Sequence, residues 1–322
     1  MRMPRRPALR LWSLLLAALA MLVFLSLCIG AASLFSGDGG WILMVSRLPR
    51  TAAALLAGAG LAVAGVVVQQ VVQNRLVEPA LTGTPEATML GLLAVTLIAP
   101  GMSIAGKMLF AALSALVGMA GFLALAARVP RHDPMLLPIV GLVYGGILGA
   151  VATWAAWYTD LLQYLGVWRL GELSGVMQGR YEWLWGVAAL TALLYLLADR
   201  ITILGLGAAQ ARSLGLDYGQ TRALGLVMVA ALTALVLVTV GAFPFVGLVA
   251  PNLVSRWRGD DLRANLPLIA AGGGMLVLAA DVIGRVLRYP YEIPAATVFS
   301  VFGAAVFLWL LYAAPDQRRV RD

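Results

Sequence analysis

Apolar runs long enough to cross a bilayer recur along this chain from end to end. A helix needs about 20 predominantly apolar residues to span the hydrocarbon core. Runs of that kind begin near Leu11, Thr51, Met108, Met135, Trp183, Arg222 and Leu266, and a last one covers Pro294 to Tyr312. Two weaker segments, Glu86 to Pro100 and Phe245 to Trp257, are short and interrupted by Gly or Pro. Counted together they predict an all-α, polytopic membrane protein of about ten transmembrane helices. Short, broken segments persist in a membrane only where protein or a water-filled path satisfies their exposed backbone. They therefore point to a transporter rather than an anchor.

The composition agrees. Of the 322 residues, 61% are hydrophobic and 12% charged, where soluble domains carry about a quarter charged residues. The net charge of +8 is scattered between apolar runs, with no basic face interleaved with aromatics, so nucleic-acid binding is rejected. Anionic headgroups and cytoplasmic placement account for the charge better. The start of the chain, Arg2, Arg5, Arg6 and Arg10 followed by Leu11 to Ile29, mimics a signal peptide. Its apolar stretch of about 19 residues exceeds the usual 7–15-residue core, so it is expected to stay as the first transmembrane helix. The single cysteine, Cys28, excludes an internal disulfide, and Leu27 before it excludes a lipobox. Residues 1–322 are expected to form one membrane domain, with no appended soluble module.

Charge placement tests the topology. With ten crossings and both ends in the cytoplasm, sixteen of the 23 basic residues fall inside, leaving Arg47, Arg50, Lys107, Arg169, Arg180, Arg285 and Arg288 outside. That asymmetry satisfies the positive-inside rule. Dense small residues, as in Ala52 to Gly65 and Ala270 to Gly274, let helix backbones approach closely in lipid.

Catalytic chemistry is missing. No G-x-x-x-x-G-K-[ST] loop occurs, so the chain does not bind ATP in the P-loop manner. One histidine, His132, and one cysteine leave zinc or iron ligation without donors, and no G-x-S-x-G elbow is present. The chain is expected to be neither an enzyme nor the holder of a cofactor. Asp281 is the one acidic residue well inside an apolar run, with Arg285 four positions on. A mid-span carboxylate is a functional candidate, but that spacing also makes a structural ion pair on one helix face.

Four stretches carry a resemblance. They are Arg47-Leu-Pro-Arg50-Thr51 with the Gly/Ala-rich span ending in Gln69; Gln73-Asn74-Arg75-Leu76-Val77-Glu78-Pro79 with Gly83; Ala211-Arg212-Ser213-Leu214-Gly215; and Gly241-Ala-Phe-Pro-Phe-Val-Gly-Leu-Val-Ala-Pro-Asn252. The last continues through Ala280-Asp281 and Glu292-Ile293-Pro294 to Gly303-Ala304 and Phe307-Leu308-Trp309. Over residues from about 40 to 312 the order and spacing resemble the permease family that moves iron–siderophores, haem and vitamin B12 through ABC importers.

The resemblance implies that family's ten-helix permease fold, two permease subunits around one path, two ATP-binding subunits, and a periplasmic substrate-binding protein. It implies that Arg47, Arg50 and Arg285 dock acidic residues of the binding protein, with headgroup anchoring as the other reading. Asn74 and Leu76, with Pro134 and Met135, match the cytoplasmic gate. Ala211, Arg212, Ser213, Leu214 and Gly215, within a segment of about 203–221, match the coupling helices that enter the ATPase, against the plainer reading of an ordinary loop. Two short helices broken at Gly215 are expected there. Arg75 stands where the family usually has proline, and such Asn-Arg-x-Val-Glu-Pro loops are similar to those of catecholate-siderophore permeases.

The implied function is passage of a ferric siderophore across the inner membrane through an apolar, weakly binding cavity, with haem or vitamin B12 as the alternative cargo. Two rivals remain: an ion-coupled secondary transporter, which would lean on Asp281, and an intramembrane enzyme, for which no His/Asp/Glu cluster is visible.

Overall fold

The computed structural model describes residues 5–30, 39–129, 136–179, 181–259 and 261–312, and among them secondary structure is helical throughout. The helices are α1 (Arg5–Cys28), α2 (Gly39–Val72), α3 (Thr84–Ile98), α4 (Ile104–Ala126), α5 (Leu136–Tyr158), α6 (Leu162–Leu170) and α7 (Trp185–Leu196). They continue as α8 (Ala198–Gly205), α9 (Ala208–Ser213), α10 (Tyr218–Val240), α11 (Val246–Arg258), α12 (Leu262–Leu287) and α13 (Ala295–Tyr312).

All ten expected segments are helical. Five of them, α2, α4, α5, α10 and α12, are long and apolar enough to cross a membrane, and α7 with α8 makes a sixth that bends by 65°. The remaining four are α1, α3, α11 and α13. At about 1.5 Å per residue, the 13 residues of α11 cover only about 20 Å of a roughly 30 Å core. It is a half-span that depends on its neighbours. The span expected near Thr51 starts earlier, because a π-helical turn at Leu43–Arg47 carries helix α2 back to Gly39.

Helix starts follow local chemistry. Ser103 Oγ accepts from the Gly106 N–H at α4, Asp217 Oδ1 from Gln220 at α10, and Asp261 Oδ1 from Ala264 at α12. Each satisfies one of the amides that a helix N-terminus leaves open.

Helix α2 is the axis of the bundle, with 78% of its most apolar window buried against 22% for α5. Glycine makes this depth of burial practicable. A Cβ on Gly273 of α12 would strike the Gly58 carbonyl of α2, and one on Gly65 would strike the Gly247 backbone of α11. Bare backbones meet where a side chain would hold the helices apart, the mode of packing that lipid favours.

Adjacent glycines on α12 separate packing from propensity, since nothing lies within 4 Å of a Cβ built on Gly272. Gly273→Ala is expected to cost on the order of 1–3 kcal/mol through overpacking. Gly272→Ala should leave the apparent Tm in detergent at or above wild type, because alanine favours the helix. Thermal unfolding of the two purified variants side by side checks both.

Candidate functional site

At one end of the bundle α1 stops, and two arginines close it. Arg47 Nη1 donates to the Leu27 and Cys28 carbonyls at 2.6 and 3.0 Å. Arg285 Nη1 donates to Ser26 O and Ile29 O, both at 2.9 Å, and its Nη2 to Ser26 Oγ at 2.7 Å. These are carbonyls a helix C-terminus leaves without partners, at the negative end of its dipole. The Ser26 and Thr51 hydroxyls meet at 2.8 Å beneath them. Local sequence sets this up. Pro49 lacks the N–H that would bond Val45 O, and the Gln178 N–H takes that carbonyl instead at 3.0 Å.

Asp281 lies between two cations. Arg50 grips it with Nη2 at 2.7 Å and Nε at 3.1 Å, and Arg285 Nη2 pairs with its other oxygen. Arg50 Nη1 also reaches Glu292 at 2.8 Å. Arg47 and Arg285 are 5% and 4% exposed, whereas the Arg50 side chain keeps 13%. The structure thus brings the three expected docking arginines together, with the charges of Arg50 and Arg285 met by Asp281 and the Arg47 guanidinium bonded to α1. The (i, i+4) pair read from the sequence is present, with Arg50 as a third member 231 positions away.

The expected gate loop follows α2. Gln73 turns the chain with a left-handed φ of 57°, and Asn74 Oδ1 accepts from the Leu76 N–H at 2.9 Å, an Asx turn. The loop is stitched to the half-span: Asn252 Nδ2 donates to Arg75 O at 3.0 Å, and Gln69 Nε2 to Gly247 O at 3.1 Å. Glu78, fully buried, accepts from the Phe245 N–H at 2.9 Å. Its carboxylate caps the positive end of α11, at a residue held in the left-handed region (φ 69°). Sequence reasoning gives Glu78 no role of its own; a carboxylate beside a broken apolar segment is the signal that could have found it. Pro134 and Met135 lie outside the described residues.

Within the coupling segment the short helix α9 ends at Ser213 and the chain breaks at Gly215 (φ 79°), but the helix that follows from Tyr218 is the long α10 rather than a second short one. Gly207 (φ 99°) makes a further break, between α8 and α9. Ala211 is buried and anchors α9, while Arg212, Ser213, Leu214 and Gly215 are exposed. Leu214 keeps 61% of its surface open.

A cavity of about 750 Å³ opens between α3, α5, α10 and residues 241–247, within the range of small-molecule sites. Leu142, Met89, Val236 and Phe243 give it apolar walls, but Glu78, Glu86, Thr153, Arg169 and Thr233 also line it. The cavity is largely apolar, and it also carries charged groups that the sequence reading did not assign to it. The polar residues are spread over four separate stretches of chain, and only the packing unites them.

Comparison with known proteins accords with this architecture. The chain belongs to the FecCD transport family, whose model matches residues 11–313. It is 36% identical over 307 residues to the petrobactin import system permease protein FatD of Bacillus anthracis, covering 93% of this chain and 92% of the relative. It is 38% identical over 304 residues to the ferric-anguibactin transport system permease protein FatD of Vibrio anguillarum, covering 90% and 96%. A solved inward-facing metal-chelate type ABC transporter superposes with a TM-score of 0.78 at 25% identity, over 93% of this chain and 97% of that one. The chain is thus a multi-pass membrane permease subunit of the ABC importer type, and its named relatives are transport permeases rather than enzymes.

Removing Asp281 leaves the buried Arg285 without a carboxylate and Arg50 with Glu292 alone, and unpairing a buried charge costs about 3–5 kcal/mol. Asp281→Asn is expected to lower the apparent Tm far more than Glu292→Gln, whose carboxylate is 29% exposed. Thermal unfolding in detergent measures the difference.

Proposed function

We propose that this chain carries a ferric siderophore across the inner membrane, as one of two permease subunits driven by two ATP-binding subunits and fed by a substrate-binding protein. The observation that carries this reading is a cavity bounded by the short helix α3 and the start of the half-span α11, in a chain whose relatives are named for petrobactin and ferric anguibactin. The surplus of basic residues on one side supports cytoplasmic termini. The lightly buried α5, with Leu142, Ile147 and Trp154 exposed, supports a face covered by a second permease. Residues 1–322 act as one membrane domain in this reading.

The binding protein docks at the charged end of α2 and α12. Arg50 is the arginine of the three with an edge toward the surface, so an incoming carboxylate competes there with Asp281 and Glu292. Arg47 and Arg285 serve the same dock from behind by fixing α1. Asn74 and Leu76, with Pro134 and Met135, close the cytoplasmic end. The loop of Asn74 and Leu76 is tied to α11, so a movement of the half-span moves that part of the gate with it. Ala211 to Gly215 enter the ATPase, with the open Leu214 as the apolar contact. The pairing of Asp281 with two arginines weighs against an ion-coupled transporter, which needs a carboxylate free to bind its ion.

Uptake of radio-iron in a deletion strain, with and without this gene, tests the cargo. Ferric petrobactin, ferric anguibactin, haem-iron and labelled vitamin B12 form the panel. Dependence of a ferric siderophore on the gene is expected; dependence of haem or vitamin B12 alone would overturn the cargo reading. Uptake that survives ATP depletion yet fails when the proton gradient collapses would overturn the importer reading itself.

Leu214→Asp tests the coupling assignment. It places a charge where an apolar contact is proposed, and loss of a central contact residue weakens association by about tenfold or more. Co-purification of the ATP-binding subunits should fall while the chain still reaches the membrane.

A further inference from the structure

The cavity wall holds two opposite charges, Glu86 and Arg169, that lie near each other without forming an ion pair. Arg169 sits on the last turn of α6, and that turn is clamped: Trp168 O accepts from the Ala242 N–H at 2.9 Å, and Gly171 O from Ala296 at 3.2 Å. Arg169 Nη2 donates to Thr153 Oγ1 at 2.8 Å and to Gly149 O at 3.2 Å, both on α5. Its other three N–H groups, on Nε and Nη1, make no hydrogen bond among the described residues. Glu86, in the first turn of α3, leans on the same face of α5, since a Cβ on Gly145 would lie 3.5 Å from Glu86 Oε2. That oxygen is buried and has no hydrogen-bond partner among the described residues. A Cβ on Gly149 would touch both residues, with Glu86 Cγ at 3.4 Å and Arg169 Nη2 at 3.7 Å.

Two charges from separate helices therefore converge on one glycine-lined strip of α5 without forming an ion pair. Arg169 is exposed, so its remaining donors stay open to whatever enters the cavity, whereas the buried, unpartnered oxygen of Glu86 is costly to keep in a largely apolar wall. Ionisable groups held this way in a membrane protein mark the path of a solute. Glu78, the remaining charged group of the wall, is already committed to the amide of Phe245.

We infer that Arg169 and Glu86 form a cargo-selecting subsite on the wall of the path. Arg169 takes an anionic oxygen of the chelate, carboxylate or catecholate, and Glu86 takes an amine or amide N–H of the same molecule. Thr153 positions the guanidinium. The inference rests on the importer reading and adds to it the charge of the cargo. Arginine suits this role, because its planar fork meets paired oxygens while one nitrogen stays anchored.

The test uses the whole importer in cells lacking the chromosomal gene. Radio-iron is supplied as a ferric tris-catecholate chelate or as a ferric tris-hydroxamate chelate, with the chain's membrane level followed by immunoblot. Wild type is expected to import the catecholate chelate. Arg169→Gln should reduce that uptake by about tenfold or more, the worth of a charged hydrogen bond, at an unchanged membrane level. Arg169→Lys, which keeps the charge, should retain more uptake than Arg169→Gln. Equal uptake by wild type and Arg169→Gln overturns the subsite alone, as does a wild type that takes only the hydroxamate chelate. A fall in both chelates by the same factor makes Arg169 a strut and also overturns it. A wild type that imports neither chelate overturns this inference together with the siderophore cargo reading beneath it.

Discussion

A backbone group facing hydrocarbon has no water to turn to, and this bundle is organised around the places where its helices stop short. Helix α1 ends on two guanidinium groups, from Arg47 and Arg285. The half-span α11 begins on the carboxylate of Glu78. Proline at 49 frees the carbonyl of Val45, and Gln178 collects it from a distant loop. Each repair ties an interrupted element to a different part of the chain, so the interruptions that make a path possible are also what lock the helices together.

The same repairs set the electrostatics. Asp281 lets Arg50 and Arg285 stay inside the bundle, and Arg285 in turn holds the end of α1. The cluster is a chain of dependencies in which one carboxylate supports two cations and one cation supports a helix. Arg50, nearest the surface and shared with Glu292, is the member whose partners an outside carboxylate can exchange. The cavity wall follows the opposite rule, since Glu86 and Arg169 approach one another without contact, and this leaves bonding capacity for something that passes.

Much of this architecture is legible in the amino-acid sequence. Ten apolar segments, two of them weak, correspond to ten helical elements, because the length of an apolar run is a direct physical requirement of the bilayer. The weak segments, Glu86 to Pro100 and Phe245 to Trp257, correspond to α3 and α11 at the cavity. The (i, i+4) relation of Asp281 and Arg285 is readable from helix geometry. The break of the coupling segment at Gly215 is readable from its glycine, but that the helix after it runs on as the long α10 is not, because spacing does not fix where a helix ends.

By itself, the sequence determined the solvent, the order of the apolar helical segments, and the family, since all three rest on hydrophobic length and on motifs along one dimension. Tertiary structure alone decided what each charge does. Whether an arginine caps a helix, neutralises an aspartate or waits on a cavity wall depends on groups as far as 259 positions away. Glu86 and Arg169 come near each other only because α3 and α6 both lean on the glycines of α5. Pairing energies depend on distance and burial in space, and neither is a property of position along the chain.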